Sequence, residues 1–147
     1  MPTGELNQGT PVHYSGQKEI SCLLDTDIVI DFLRRREYTQ KLLNQWAGKG
    51  LLAVSTLTHL EICQGMRAGE EEVTNTFLDS MISIAVVTAI ARKAGNLIKK
   101  NRSKGITTGM ADAIIAATAL HLGTPLITNN VVHYPFPELN VIRGSSI

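Results

Sequence analysis

The chain is poor in the features that mark many protein classes. It has two cysteines, Cys22 and Cys63, and they form no CxxC pair. Nothing in that spacing supports a zinc framework, and both are expected to be small buried hydrophobes in a reducing compartment. The four histidines, His13, His59, His121 and His133, are scattered, and His59-Leu60-Glu61 is not an HExxH arrangement. No apolar run approaches the length of a membrane span. The N-terminus lacks a basic stretch followed by an apolar one, so no secretory signal is read there and a cytoplasmic location is expected. Charge of one sign is also missing: 14 Lys and Arg face 13 Asp and Glu, for a net charge of +1. No global field then draws the chain to nucleic acid or to an anionic membrane, and any polyanion site must be a local patch.

Two such patches exist. Arg34-Arg35-Arg36 follows the first expected helix and lies close in sequence to the acids discussed below, so Arg34 is a candidate phosphate contact. Arg92, Lys93, Lys99, Lys100, Arg102 and Lys104 form a run without one acid; the plain reading is a solvated helix face.

The 147 residues fit one domain with a real core. Residues 1–19 are rich in Gly, Pro, Thr, Ser and Gln, lack an apolar period and are expected to form a loose arm. The folded domain, 20–147, should begin near Ile20, and no internal repeat follows. Apolar runs alternate with helical periods. Strands are predicted at 20–25, 51–55, 83–87 and 125–128, with a fifth at the edge over 139–143. Helices are predicted at 28–35, 39–47, 57–67, 70–81, 88–100 and 111–122. Leu57, Leu60 and Gln64 should share a stripe of the third helix, Thr88 should cap the fifth, and Thr107 or Thr108 the sixth. Strands alternating with helices imply an α/β fold with a mainly parallel sheet of four to five strands and helices on both faces. Helix 111–122 is apolar nearly all round, so it should be deeply buried.

Within this frame three carboxylates stand in apolar surroundings. Asp25 ends the run Leu23-Leu24-Asp25 at the mouth of a βα turn, where open α/β sheets bind ligands. Glu61 lies in Thr58-His59-Leu60-Glu61-Ile62-Cys63, and Asp112 in Met110-Ala111-Asp112-Ala113-Ile114-Ile115. Charges among apolar groups cost free energy unless compensated, and a shared divalent cation compensates all three. Oxygen ligands without His or Cys suit Mg²⁺ or Mn²⁺, whose chemistry on phosphodiesters is water activation and charge stabilisation. Asn130, just past the fourth strand, completes the candidate set. Each residue also has a plainer reading: Asp25 as a helix cap, Asp27 and Asp31 as helix-start and surface residues, Glu61 as an exposed helix residue, Asp112 as a complement to the helix dipole and Asn130 as a turn residue.

At these motifs the sequence resembles the PIN-domain nucleases, and within them the VapC-like toxins of toxin–antitoxin pairs. Leu24-Asp25-Thr26-Asp27-Ile28-Val29-Ile30-Asp31 looks like the opening motif, with Asp27 where the family usually has Asn. Ser55-Thr56-Leu57-Thr58-His59-Leu60-Glu61 looks like the second acidic motif. Asp112-Ala113-Ile114-Ile115-Ala116-Ala117-Thr118-Ala119 looks like the third and is the most specific match. Pro125-Leu126-Ile127-Thr128-Asn129-Asn130, then His133-Tyr134, looks like the closing segment, where many relatives carry an acid close to Asn130 or His133. The resemblance implies a three-layer α/β/α fold and a single-stranded endoribonuclease. Asp25, Glu61 and Asp112 would hold Mg²⁺, and Thr128 and Asn130 would orient waters or a phosphate oxygen. It also implies homodimers and a small antitoxin partner.

Three other readings compete. A haloacid-dehalogenase-like phosphatase would use Asp25 as nucleophile, Asp27 as acid/base and Ser55 as its second motif, but needs a Lys and a paired acidic motif late in the chain. A receiver domain would want a Lys after its last core strand, and Thr128-Asn129-Asn130 offers none. A PIN-like module with a weakened site would bind RNA or a partner without metal.

Overall fold

The structure, a computed structural model, describes residues 19–145. The expected arm falls on residues 1–18, outside that range, and on Glu19, whose carbonyl accepts from the Leu51 N–H at 2.9 Å. Five strands form one parallel sheet in the order β3-β2-β1-β4-β5. They are β1 (Ile20–Leu24), β2 (Leu51–Ser55), β3 (Ile82–Ile84), β4 (Leu126–Thr128) and β5 (Val141–Arg143). The helices are α1 (Thr26–Leu33), α2 (Glu37–Ala47), α3 (Thr56–Gln64), α4 (Glu71–Asp79), α5 (Thr88–Ser103) and α6 (Met110–Leu122). Among the described residues no helix is long and apolar enough to cross a membrane.

Two cores, one on each face, make the expected three layers. On one face α5 and α6 cover Leu23, Ala53 and Leu126 through Ile90, Ala94, Leu97, Ile115 and Leu122. On the other, Cys22, Leu24, Val54 and Ile127 meet Ile28, Leu42, Trp46, Ile62 and Leu78 from the first four helices. Alternation along a strand sends neighbouring side chains to opposite faces, so Leu23 and Leu24 serve different cores. A register irregularity between Ile20 and Cys22 breaks the period and lets Ile20 join Leu23. Both leucines are fully buried, each contributing about 1.5–3 kcal/mol of hydrophobic stabilisation. In α6, Ala113, Ala116, Ala117 and Ala119 are fully buried, and their small side chains let it pack closely on α5.

Several local expectations shift. The third strand is shorter and earlier, ending at Ile84, because β3 is an edge strand and Ala85, Val86 and Val87 are exposed. Val87 and Gly109, not threonines, occupy the N-cap positions of α5 and α6, without side-chain caps. Thr108 instead accepts a hydrogen bond from Asn101 Nδ2. Helix α3 buries Thr58 and Ile62 and leaves Leu60 58% exposed, so the apolar stripe drawn through Leu60 is wrong by one helical face. Cys22 is buried as expected, whereas Cys63 is exposed.

Candidate active site

Two strands end directly in helices along one edge of the sheet. Asp25 is the N-cap of α1 and its Oδ1 accepts from the Thr26 N–H at 2.8 Å. Ser55 is the N-cap of α3 and its hydroxyl accepts from the Leu57 N–H at 3.0 Å. The capping reading of Asp25 is therefore correct, but it uses only one carboxylate oxygen. The other, Oδ2, accepts from the Thr128 hydroxyl and from the Tyr134 hydroxyl, each at 2.8 Å. Asp25 is buried, so this triple donation is what makes its charge tolerable. Tyr134 is 5% exposed. Burial, with the negative charge of Asp25 beside it, pushes its hydroxyl well above the ordinary tyrosine range and keeps it a proton donor.

Asp27 joins this cluster. Its Oδ2 accepts from the Asn129 N–H at 2.9 Å, and the Thr128 hydroxyl lies 3.5 Å from each of its oxygens. Burial, then the charge of Asp25, pushes the Asp27 carboxyl up to about 6, against the pull of the Asn129 and Ile28 N–H groups. Asp112, in the first turn of α6, feels the same repulsion. Its carboxyl is raised first by burial and then by the charge of Asp25, against the pull of His133. His133 Nδ1 stands 3.7 Å from Asp112 Oδ2. The end of α5 already lies beside this edge, so residues 104–109 simply join it to α6, where Asp112 stands. Asn101 Nδ2 donates both to Thr108 Oγ1 at 3.0 Å and to the Pro135 carbonyl at 3.3 Å, fastening the end of α5 beside the Tyr134 loop.

Glu61 is half-buried and tethered from a different direction. The Thr26 hydroxyl donates to Glu61 Oε1 at 2.6 Å, which leaves the Thr58 hydroxyl to donate to Thr26 Oγ1 at 2.9 Å. Glu61 and Arg34 line a cleft of about 470 Å³ together with Ile30, Leu33, Met66 and Arg67. Thr128 is fully buried. Its hydroxyl donates to Asp25 and accepts from the Asn130 N–H at 3.0 Å, so it stands behind the carboxylates, out of contact with solvent. Asn130 is exposed at the rim.

Among the described residues no three His, Cys, Asp or Glu side chains converge closely enough to enclose one ion as placed. The donor chemistry nevertheless fits a hydrated hard cation. Mg²⁺ is typically held through one or two carboxylates and keeps several waters, and the mutual repulsion of Asp25, Asp27 and Asp112 is what such a cation relieves. Sequence reading placed Asp27 outside the site because Asp at a helix start is common; Asp-Thr-Asp at a strand end was the signal available. Thr26, Thr58, Asn129 and Tyr134 were not found as partners. Thr128 and Tyr134 meet Asp25 across sequence separations of 103 and 109 residues, which no local pattern reveals.

Comparison with known proteins gives the same frame. The PIN domain family model matches residues 22–135. Ribonuclease VapC19 of Mycobacterium tuberculosis is 34% identical over 119 residues, covering 80% of this chain and 95% of that protein. A toxin–antitoxin complex from Klebsiella pneumoniae contains a chain 27% identical to this one, with a TM-score of 0.75 over 86% of this chain and 100% of that one. VapBC2 from Rickettsia felis, bound to a DNA fragment from its promoter, shares the fold, with a TM-score of 0.76 at 22% identity over 84% of this chain and 98% of that one. Fold, acidic edge and relatives agree: the chain belongs to the PIN-domain family, in its VapC branch.

Proposed function

We propose that the chain is a divalent-metal-dependent endoribonuclease that hydrolyses RNA phosphodiester bonds, the toxin of a toxin–antitoxin pair acting in the cytoplasm. The observation that carries this reading is the gathering of Asp25 and Asp27, from the start of α1, with Asp112, from the start of α6, at one edge of a PIN-family sheet. Asp25 and Asp112 would hold Mg²⁺ or Mn²⁺, with Asp27 beside them and Glu61 reaching the same edge through Thr26. When bound, such a cation supplies Lewis acidity and positive charge at the attacked phosphate. The protein's own part is positioning. Thr128 and Tyr134 fix Asp25 from behind, Asn129 fixes Asp27, and His133 flanks Asp112. Asn130 and Arg34, both exposed, are placed to meet a phosphate oxygen at the rim and along the cleft. The cognate antitoxin and a second copy of the chain are the proposed protein partners.

The phosphatase and receiver readings lose support at the end of β4, where Thr128-Asn129-Asn130 offers neither a lysine nor an acid. The test is cleavage of structured and unstructured RNA by purified protein with Mg²⁺, with Mn²⁺ and with chelator, beside Asp112→Asn. Metal-dependent cutting that falls about 10²–10³-fold in a normally folded Asp112→Asn protein is expected, the cost of removing one stabiliser of transition-state charge. Equal cutting by the variant would overturn the site, and metal-independent RNA binding without cutting would favour the binding module.

A further inference from the structure

Helix α5 carries charge that the candidate active site does not use. Residues 88–109 contain Arg92, Lys93, Lys99, Lys100, Arg102 and Lys104 and no acid. In a chain of net charge +1, these six of the 14 cations leave the remainder net negative. All six cations are exposed, because the helix buries Ile90, Ala94, Leu97 and Asn101 on its other face. Lys93, Asn96, Lys100 and Ser103 recur at helical spacing along one flank. Arg92, Lys93, Asn96 and Lys100 line a shallow groove of about 390 Å³ that ends at Glu138.

A solvated helix face does not account for this arrangement. Such faces mix both signs, and the helix dipole favours cations only in the last turn. That covers Lys100 and Arg102 and leaves Arg92 and Lys93 in the N-terminal half unexplained. Among the described residues, the acid at ion-pair distance from the stripe is Glu138, 3.9 Å from Lys100 with both side chains exposed, a contact of little energetic weight. The stripe also has a direction. From Arg92 to Lys104 it runs about 18 Å at 1.5 Å per residue. It ends where Asn101, 2% exposed, ties α5 to Thr108 and to the Pro135 carbonyl. The residue before Pro135 is Tyr134, the donor to Asp25.

We propose that α5 is a track for the sugar–phosphate backbone of single-stranded RNA, leading the strand to the edge that holds Asp25 and Asp112; this rests on the ribonuclease reading. Residues 88–109 contain no aromatic side chain, so the track offers no base-stacking platform and reads charge without sequence. An acidic protein surface would meet the same cations, but the stripe's termination at the proposed site of phosphodiester chemistry favours RNA.

The experiment is fluorescence anisotropy of a labelled 12-nucleotide single-stranded RNA, in chelator, between 50 and 200 mM salt. The full chain carrying Asp112→Asn is compared with the same chain also carrying Lys93→Gln, Lys100→Gln and Lys104→Gln. Loss of three phosphate contacts is expected to reduce the salt slope by about 2 and to weaken binding about tenfold or more. The corresponding Lys→Arg triple should bind as the parent does. An unchanged slope in the glutamine variant, no RNA binding by the parent, or equal binding of poly-glutamate would each overturn the track. Cleavage by the chain with Asp112 intact tests the ribonuclease reading separately. Cutting together with unchanged binding by the glutamine variant removes the track alone; α5-dependent binding without cutting removes the enzyme and keeps the RNA surface.

Discussion

Asp25 is at once a helix cap and the centre of the acidic cluster, because its two oxygens face different donors. Tyr134→Phe removes one of those donors without changing shape. It is expected to cost about 1.5–3 kcal/mol of stability, the range for a hydrogen bond to a charged group, and to lower cleavage about tenfold; chemical denaturation and initial rates check the two effects. Asp27 makes a pH prediction. Its carboxyl is raised from an ordinary 3.8 to about 6 in the folded chain, so folding favours the protonated form. Its favourable contribution is complete below about pH 4 and is lost as pH rises through about 6. In chelated protein, the melting temperature of Asp27→Asn should therefore gain on that of the original chain from about pH 4 to about pH 7, and added Mg²⁺ should narrow the gap. A constant difference across that range would show that Asp27 is not under this repulsion. The cysteines differ as sharply. Burial pushes the Cys22 thiol up to about 12 while Cys63 is exposed, so an alkylating reagent at neutral pH should modify Cys63 alone, as peptide mass mapping would show. Of the candidate residues, Asp25, Glu61 and Asp112 stand out in the sequence because a carboxylate in an apolar run is anomalous wherever it falls. Thr26, Thr58 and Tyr134 were not, because a threonine or a tyrosine in a half-apolar segment is ordinary until its partner is known.

At the scale of elements, the apolar runs and their punctuation carried most of the information. The second strand, 51–55, and the end of α6 at Leu122 matched the expectation to the residue, since Gly50 precedes the one and Gly123 terminates the other. Gly123 adopts φ 67° and its N–H caps the Ala119 and Leu120 carbonyls. Gly123→Ala is expected to destabilise by about 1 kcal/mol, read as a lower denaturation midpoint with unchanged slope. The starts of α5 and α6 were not legible: threonines near a helix start suggested caps, but tertiary contacts took Thr108 for Asn101 instead. The end of β3 was hidden for a related reason. Val86 and Val87 have strong strand character, yet an edge strand has a neighbour on one side only, and the pairing stops at Ile84.

The whole molecule is one sheet shared by two cores, so neither core is independent of the other. Leu97→Ala in the α5–α6 layer and Leu42→Ala in the opposite layer should each cost about 2–5 kcal/mol. Each should lower a single unfolding transition, and coincident far-ultraviolet and tryptophan signals are the check. A variant that melts one layer before the other would show that the sheet does not couple them.

The strand order carries a temporal consequence. The inner strand that ends at Asp25 emerges early from the ribosome, but one of its flanking strands and both hydroxyls that hold the carboxylate come from residues 126–134. A nascent chain that has not yet exposed those residues has an open edge where the sheet should continue and an acidic residue without its clamps. Translation at about 5–20 residues per second thus delays assembly of the acidic edge for several seconds after its first aspartate is made. On this topology the first aspartate of the proposed RNA-cleaving edge is made well before the hydroxyls that position it.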